Sequence, residues 1–204
     1  PAEMVVDQIR QSGGDALAVK VDCANEGEVG LLGIHPWMAR KIDVLVLNHG
    51  AYNRVAADEL TIETLRETMA VNFEGSVAVW KAIQPHLSDE ARMVVVGSQL
   101  GTRGSPHGAD YSASKAALAV WARSLAQQVG PEGKRVNILA PGYVDTAILA
   151  GDSRSKREQR ENEVPLKRVG TPEDMASTIA FLVSDDSAYI TGSIIHVNGG
   201  LYLP

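Results

Sequence analysis

Apolar residues along the chain fall into two alternating rhythms. Short continuous runs are the first: IDVLVLN ending at Asn48, ARMVVVGS ending at Ser98, RVNILAP ending at Pro141, and SIIHVN ending at Asn198. Runs of this kind suit strands of a parallel sheet buried on both faces. A fifth, ALAVKVD from Ala16 to Asp22, reads as a shorter strand. Between them lie segments with helical spacing. PAEMVVDQIRQSGG places Met4, Val5 and Ile9 on a helix that Pro1 suits at its first turn and Gly13-Gly14 ends. Residues 25–41 read as an irregular helix interrupted at Pro36. Residues 61–87 read as one long helix with Leu65, Met69, Phe73 and Val77 along a stripe, and DYSASKAALAVWARSLAQQ as an alanine-rich helix. DSRSKREQRENE reads as a charged, mobile segment, and TPEDMASTIAFLVS as a helix with Thr171 as its N-cap.

Strands alternating with helices, without a repeat or a linker, predict one α/β domain over residues 1–204: a doubly wound parallel sheet in three α/β/α layers. Sheets of this kind bind ligands beyond the carboxyl ends of their strands. The loops HGAYN, GSQLGTRGSPHGAD and APGYVDT should therefore line one crevice. The net charge of −6 and the lack of a basic block argue against nucleic acid and an anionic membrane as partners. No apolar run reaches the roughly 18 residues that span a bilayer. Cys23 is the sole cysteine, which fits a reducing, cytoplasmic setting and no metal site. His35, His86, His107 and His196 have no metal-ligating spacing.

The chemistry concentrates in one helix. Tyr111 and Lys115 are four apart and share a helical face. A neighbouring ammonium favours the phenolate and is expected to lower the tyrosine pKa toward neutrality. Ser98, at the carboxyl end of a buried strand, is placed to hold a carbonyl oxygen beside that phenol. A tyrosine–lysine pair at this spacing alone is most often a surface pair. The triplet is more specific, because each member falls where the crevice should be.

In this order the residues resemble the short-chain dehydrogenase/reductase (SDR) family: NHG at residues 48–50, Asn72 in MAVNFEGS, Ser98, YSASK from Tyr111, PGYVDT from Pro141, and ITGSIIHVNGG. The resemblance covers essentially the whole chain and implies a Rossmann-like fold binding NAD or NADP. It implies Tyr111 as general acid or base, Lys115 as its modulator and a ribose ligand, Ser98 as the carbonyl-orienting group, and Asn72 holding a relay water. It implies cofactor contacts from Asp22 and Cys23 beside the adenine, from Asn48 and Gly50 on the adenosine side, and from Pro141, Gly142, Val144 and Thr146 at the nicotinamide. Leu47 and His49 depart from the family's Asn-Asn-Ala-Gly, His49 reading as a packing or hydrogen-bonding variant.

The family's opening strand, glycine-rich turn, helix and second strand are not among these residues. In the strand order 3-2-1-4-5-6, ALAVKVD then lacks its neighbour and DVLVLN becomes an edge. Either a longer enzyme is incompletely represented, or the sheet is rearranged and cofactor binding weakened. The resemblance implies interconversion of a small-molecule ketone and secondary alcohol, near the 3-oxoacyl-thioester reductase and the sugar or steroid dehydrogenase branches. Residues 145–168 are expected as a substrate lid with charges toward solvent. It also implies a homodimer or homotetramer through the long helices, with Trp80 and Trp121 as interface anchors or core residues. A catalytically silent scaffold is the rival reading.

Overall fold

A computed structural model describes residues 2–204. In chain order the elements are α1 (Ala2–Gln11), α2 (Glu26–Leu32), β1 (Ile42–Leu47), α3 (Ile62–Met69), α4 (Gly75–Ile83), β2 (Leu87–Val96), the single turn α5 (Leu100–Arg103), α6 (Ala109–Val129), β3 (Arg135–Pro141), α7 (Arg154–Glu163), α8 (Pro172–Val183) and β4 (Ile194–Val197). The four strands form one parallel sheet in the order β1-β2-β3-β4. Successive pairs of this sheet are joined by helices, as parallel pairing requires.

The apolar runs divide their side chains between two layers. Met93, Val95 and Ile138 pack with Trp80, Ile83, Leu118, Ala122 and Leu125 of α4 and α6. Val94 and Leu139 point the other way and meet Leu182 of α8. Trp80 belongs to this core, so the interface-anchor reading fails for it; Trp121 packs partly buried against the same cluster.

Four expectations need correction. ALAVKVD forms no ladder, because no neighbouring strand stands beside it among the described residues. β1 is not buried on both faces: Leu45 and Leu47 face the α4–α6 layer, but α8 does not extend over β1, and Val44 and Val46 remain 41% and 38% exposed. The long helix breaks into α3 and α4 around a π turn at Ala70–Glu74. Its buried face is Thr68, Asn72, Ser76 and Trp80, while Leu65, Met69, Phe73 and Val77 are only half-buried. Finally, the charged segment is an ordered helix, α7, capped by the Ser153 hydroxyl, which accepts from Lys156 N–H at 3.2 Å.

The remaining helix signals hold. α1 and the interrupted α2 region form as the periodicity predicts, although Met4, Val5 and Ile9 of α1 are exposed. Pro1 lies outside the described residues. Thr171 caps α8 in a reciprocal capping box with Asp174.

The uncovered valines generate a prediction. Replacing Val44 and Val46 with lysine should reduce concentration-dependent aggregation, read by light scattering. Stability by urea titration should change by no more than about 0.5 kcal/mol for each exposed position.

Candidate active site

The carboxyl ends of β1, β2 and β3 open into a cavity of about 430 Å³. Its lining includes Asn48 and Gly50 after β1, Gly97, Ser98 and Gln99 after β2, and Pro141, Gly142, Tyr143, Val144 and Thr146 after β3. Tyr111 and Lys115 enter from α6, and Ile148, Leu149, Arg160, Met175 and Ile179 from the segment ahead of α7, from α7 itself and from α8. The strand-end loops do form one crevice, as the alternating pattern predicts.

The backbone after each strand is pulled tight. Gly97 N–H donates to the Leu139 carbonyl at 2.8 Å, Gln99 N–H to Pro141 at 3.1 Å, and Gly142 N–H to Val197 at 3.1 Å. A β-carbon on Gly142 would stand 2.7 Å from Asn198 Cβ, so only glycine fits there.

Lys115 is 3% exposed. Its ammonium donates to the Val96 carbonyl at 2.8 Å and lies 5.7 Å from the centre of the Tyr111 ring. Removal from water lowers its pKa to about 8. Tyr111 behaves against expectation. Burial is the largest influence and raises its pKa, the Ser98 hydroxyl opposes that by hydrogen bonding, and Tyr52 adds to the rise. The expected lowering by Lys115 is overturned: desolvation of the phenolate governs the shift. Ser98 Oγ accepts from Leu100 N–H at 3.1 Å, which leaves its own proton free to be donated.

Asn72 is fully buried and is not part of the cavity wall. Its Oδ1 accepts from Ala51 N–H at 2.7 Å, and Nδ2 donates to the Ala51 carbonyl at 3.0 Å and Ser114 Oγ at 2.9 Å. It thus ties the loop after β1 to α6 across the π turn, and its amide protons are taken by protein. The sequence reading has Asn72 hold a relay water behind Lys115; its side chain here holds the loop after β1 and Ser114. His49 hydrogen-bonds Ser76 Oγ at 3.2 Å, matching the packing-variant reading. Burial, then Lys115, lowers its pKa.

Asp22 and Cys23 do not reach the cavity. Asp22 Oδ1 accepts from Ala24 N–H at 2.9 Å, and Asp22 N–H donates to Glu28 Oε2 at 2.9 Å. The Cys23 thiol is pushed up by burial and by Asp22. Of the residues expected at the cofactor, Asn48, Gly50, Pro141, Gly142, Val144 and Thr146 line the cavity together with Tyr111 and Lys115. Among the described residues no three His, Cys, Asp or Glu side chains cluster as a metal site.

Three lining groups escaped the sequence reading. Tyr52 packs against Tyr111 with ring centres 4.7 Å apart and the rings tilted by 48°, its hydroxyl donating to the His107 carbonyl at 2.9 Å. Arg54 and Arg160 share the carboxylate of Asp152. Tyr52 lies in the HGAYN loop, so its proximity to the crevice was signalled, but nothing in the sequence signalled the ring contact or the shared carboxylate.

A family model described as enoyl-(acyl carrier protein) reductase matches residues 1–202. The chain belongs to the short-chain dehydrogenase/reductase family. Among its SDR relatives, a cyclohexanol dehydrogenase of Rhodococcus is 37% identical, with 98% of this chain and 77% of the relative covered. The 3-oxoacyl-acyl-carrier-protein reductase of Escherichia coli is 33% identical, with 80% of this chain and 68% of the relative covered. A short chain dehydrogenase of Burkholderia cenocepacia, solved in complex with NADP, superposes with a TM-score of 0.91 at 32% identity, covering 98% of this chain and 82% of its own. This SDR is thus an NAD(P)-dependent oxidoreductase with a Rossmann-type sheet, and among its described residues no helix is long and apolar enough to cross a membrane.

The buried ammonium yields a pH prediction. Between pH 8 and the usual lysine value of 10.5, the unfolded chain holds a proton that folded Lys115 has lost. Its contribution to stability therefore rises as pH climbs through 8 and is lost as pH falls back. Relative to Lys115→Met, the wild type should gain about 2 kcal/mol between pH 7 and 9.5, read as the change in the stability gap by urea titration at both pH values.

Proposed function

We propose that this SDR interconverts a ketone and a secondary alcohol, with Tyr111 transferring the proton at oxygen. The observation that carries the reading is the convergence of Ser98, Tyr111 and Lys115 on one cavity with the nicotinamide-side residues. When bound, the dinucleotide supplies or accepts the hydride at the carbonyl carbon.

In reduction, the Ser98 hydroxyl donates to the carbonyl oxygen and fixes it beside Tyr111. Burial keeps the phenol protonated at neutral pH, so Tyr111 is in its acid form and gives its proton to the oxygen as negative charge develops there. Lys115, anchored on Val96, has two remaining N–H donors for the cofactor ribose. Asn72 is a positioning residue: it fixes the loop carrying Gly50 against α6, beside the Lys115 ammonium. In oxidation Tyr111 must act as a base, so alcohol turnover should climb with pH as the phenolate becomes available.

The relatives' names support a carbonyl or alcohol substrate. A reducing, cytoplasmic setting fits the single cysteine. A homodimer or homotetramer through α3, α4 and α6 fits the open Ile62 and Val120. The position of Asp22 and Cys23 outside the cavity favours weak cofactor binding as a second reading. No thermal shift of this chain at millimolar NADPH or NADH would support the silent scaffold.

The deciding experiment is Tyr111→Phe assayed on a ketone panel with both cofactors. The variant should fold with an unchanged Tm within about 2 °C and lose about 10²- to 10⁴-fold in kcat. Undiminished turnover would remove the proposed acid.

A further inference from the structure

Beyond Lys115, the cavity wall carries two cations and no carboxylate among its described lining residues. Arg54 follows β1, and Arg160 lies on α7. Both bind one acid: Arg54 Nη1 meets Asp152 Oδ1 at 3.2 Å, and Arg160 Nε meets Asp152 Oδ2 at 2.5 Å. The Asp152 side chain is 4% exposed, and the two guanidiniums hold its carboxyl below the usual range. Two positive charges against one negative leave a net positive charge at this part of the wall.

The neighbouring acids do not cancel it. Asp145 is tied to Arg157. Glu163 accepts from the neutral Tyr143 Oη at 3.0 Å and Gln159 Nε2 at 2.8 Å and keeps its charge, but it lies outside the cavity wall and Arg103, near Tyr143, offsets it. The Arg160 guanidinium carbon lies 4.5 Å from the centre of the Tyr143 ring, a cation–π contact. Among the described residues the Arg160 ion pair with Asp152 runs through Nε and not through the terminal nitrogens, which leaves these for a planar acceptor. Arg54 spends its second terminal nitrogen on the Ile148 carbonyl at 3.0 Å.

The wall also carries Ile148, Leu149, Met175 and Ile179, which are apolar, and Ser98 and Tyr111, which are the reacting groups proposed above. We propose that the substrate is an oxo acid: a ketone whose apolar body ends in a carboxylate received by Arg160, with Arg54 and Asp152 holding that arginine's surroundings in place. This rests on the ketone-reductase reading and adds its substrate class. The paired rival is that the two arginines only latch the lid segment to the loop after β1.

The test uses 5-oxohexanoate and 7-oxooctanoate beside their methyl esters, with the purified chain. Binding is read by calorimetry without cofactor and kcat/KM with NADPH and NADH. The acids should bind and turn over at least roughly tenfold better than the esters, the scale of one charge-assisted hydrogen bond. Arg160→Gln should erase most of that acid-to-ester ratio through KM, while Arg160→Lys should keep more of it. Equal binding of acid and ester by the wild type overturns the proposal. So does an Arg160→Gln effect that falls equally on both, as a latch requires, or on NADPH affinity instead, as a cofactor phosphate requires. Turnover of esters that is lost in Tyr111→Phe shows the ketone-reductase reading standing even where the acid preference fails. Absence of binding for either acid overturns the proposal without reference to turnover.

Discussion

The site is organised around a buried ammonium. Lys115 gives up water and receives one strand-end carbonyl, Val96, in exchange. That single bond fixes α6 to the end of β2 and sets the height of Tyr111 one turn earlier. It also explains the glycines around it. A β-carbon on Gly50 would stand 3.3 Å from the Lys115 nitrogen, and one on Gly101 would stand 2.9 Å from the Lys115 backbone carbon. The loops after β1 and β2 close on the lysine only because neither carries a side chain at those points. A cation in so dry a position holds its proton less firmly, and the phenol beside it holds its own more firmly; both follow from desolvation, which opposes whichever form is charged.

Much of this was legible because it depends on short sequence distances or on topology. Tyr111 and Lys115 share a face through helical geometry alone. Ser98 and the segment from Pro141 sit at strand ends, and parallel sheets gather strand ends on one side. What the sequence concealed depends on who covers whom. Val44 and Val46 read as buried because they are apolar; their exposure is a property of where α8 stops. The ordering of α7 hid behind its charges, since a helix made of Arg, Glu and Gln looks like a solvated loop until Ser153 caps it and Arg160 finds Asp152 and Tyr143. The phenol's shift was misjudged for a related reason: charge proximity can be read from spacing, but burial cannot.

The departures from the family pattern are absorbed locally. Leu47 enters the core, and His49 fills its place by bonding Ser76, whose hydroxyl also donates to the Asn72 carbonyl at 3.0 Å. These contacts gather on the wide turn between α3 and α4, where carbonyls fall out of the regular helical ladder and accept side-chain donors.

That wide turn has a further meaning. It holds one residue more than the helical repeat needs, and each residue advances a helix by about 100°. Because of that surplus, Thr68 and Asn72 can meet the helix of the reacting groups while Trp80 and Ile83, farther along, still reach the hydrophobic layer. Trimming one position between Ala70 and Glu74 would leave a smoother cylinder and a poorer protein: either the asparagine would leave its loop or the tryptophan would turn toward water.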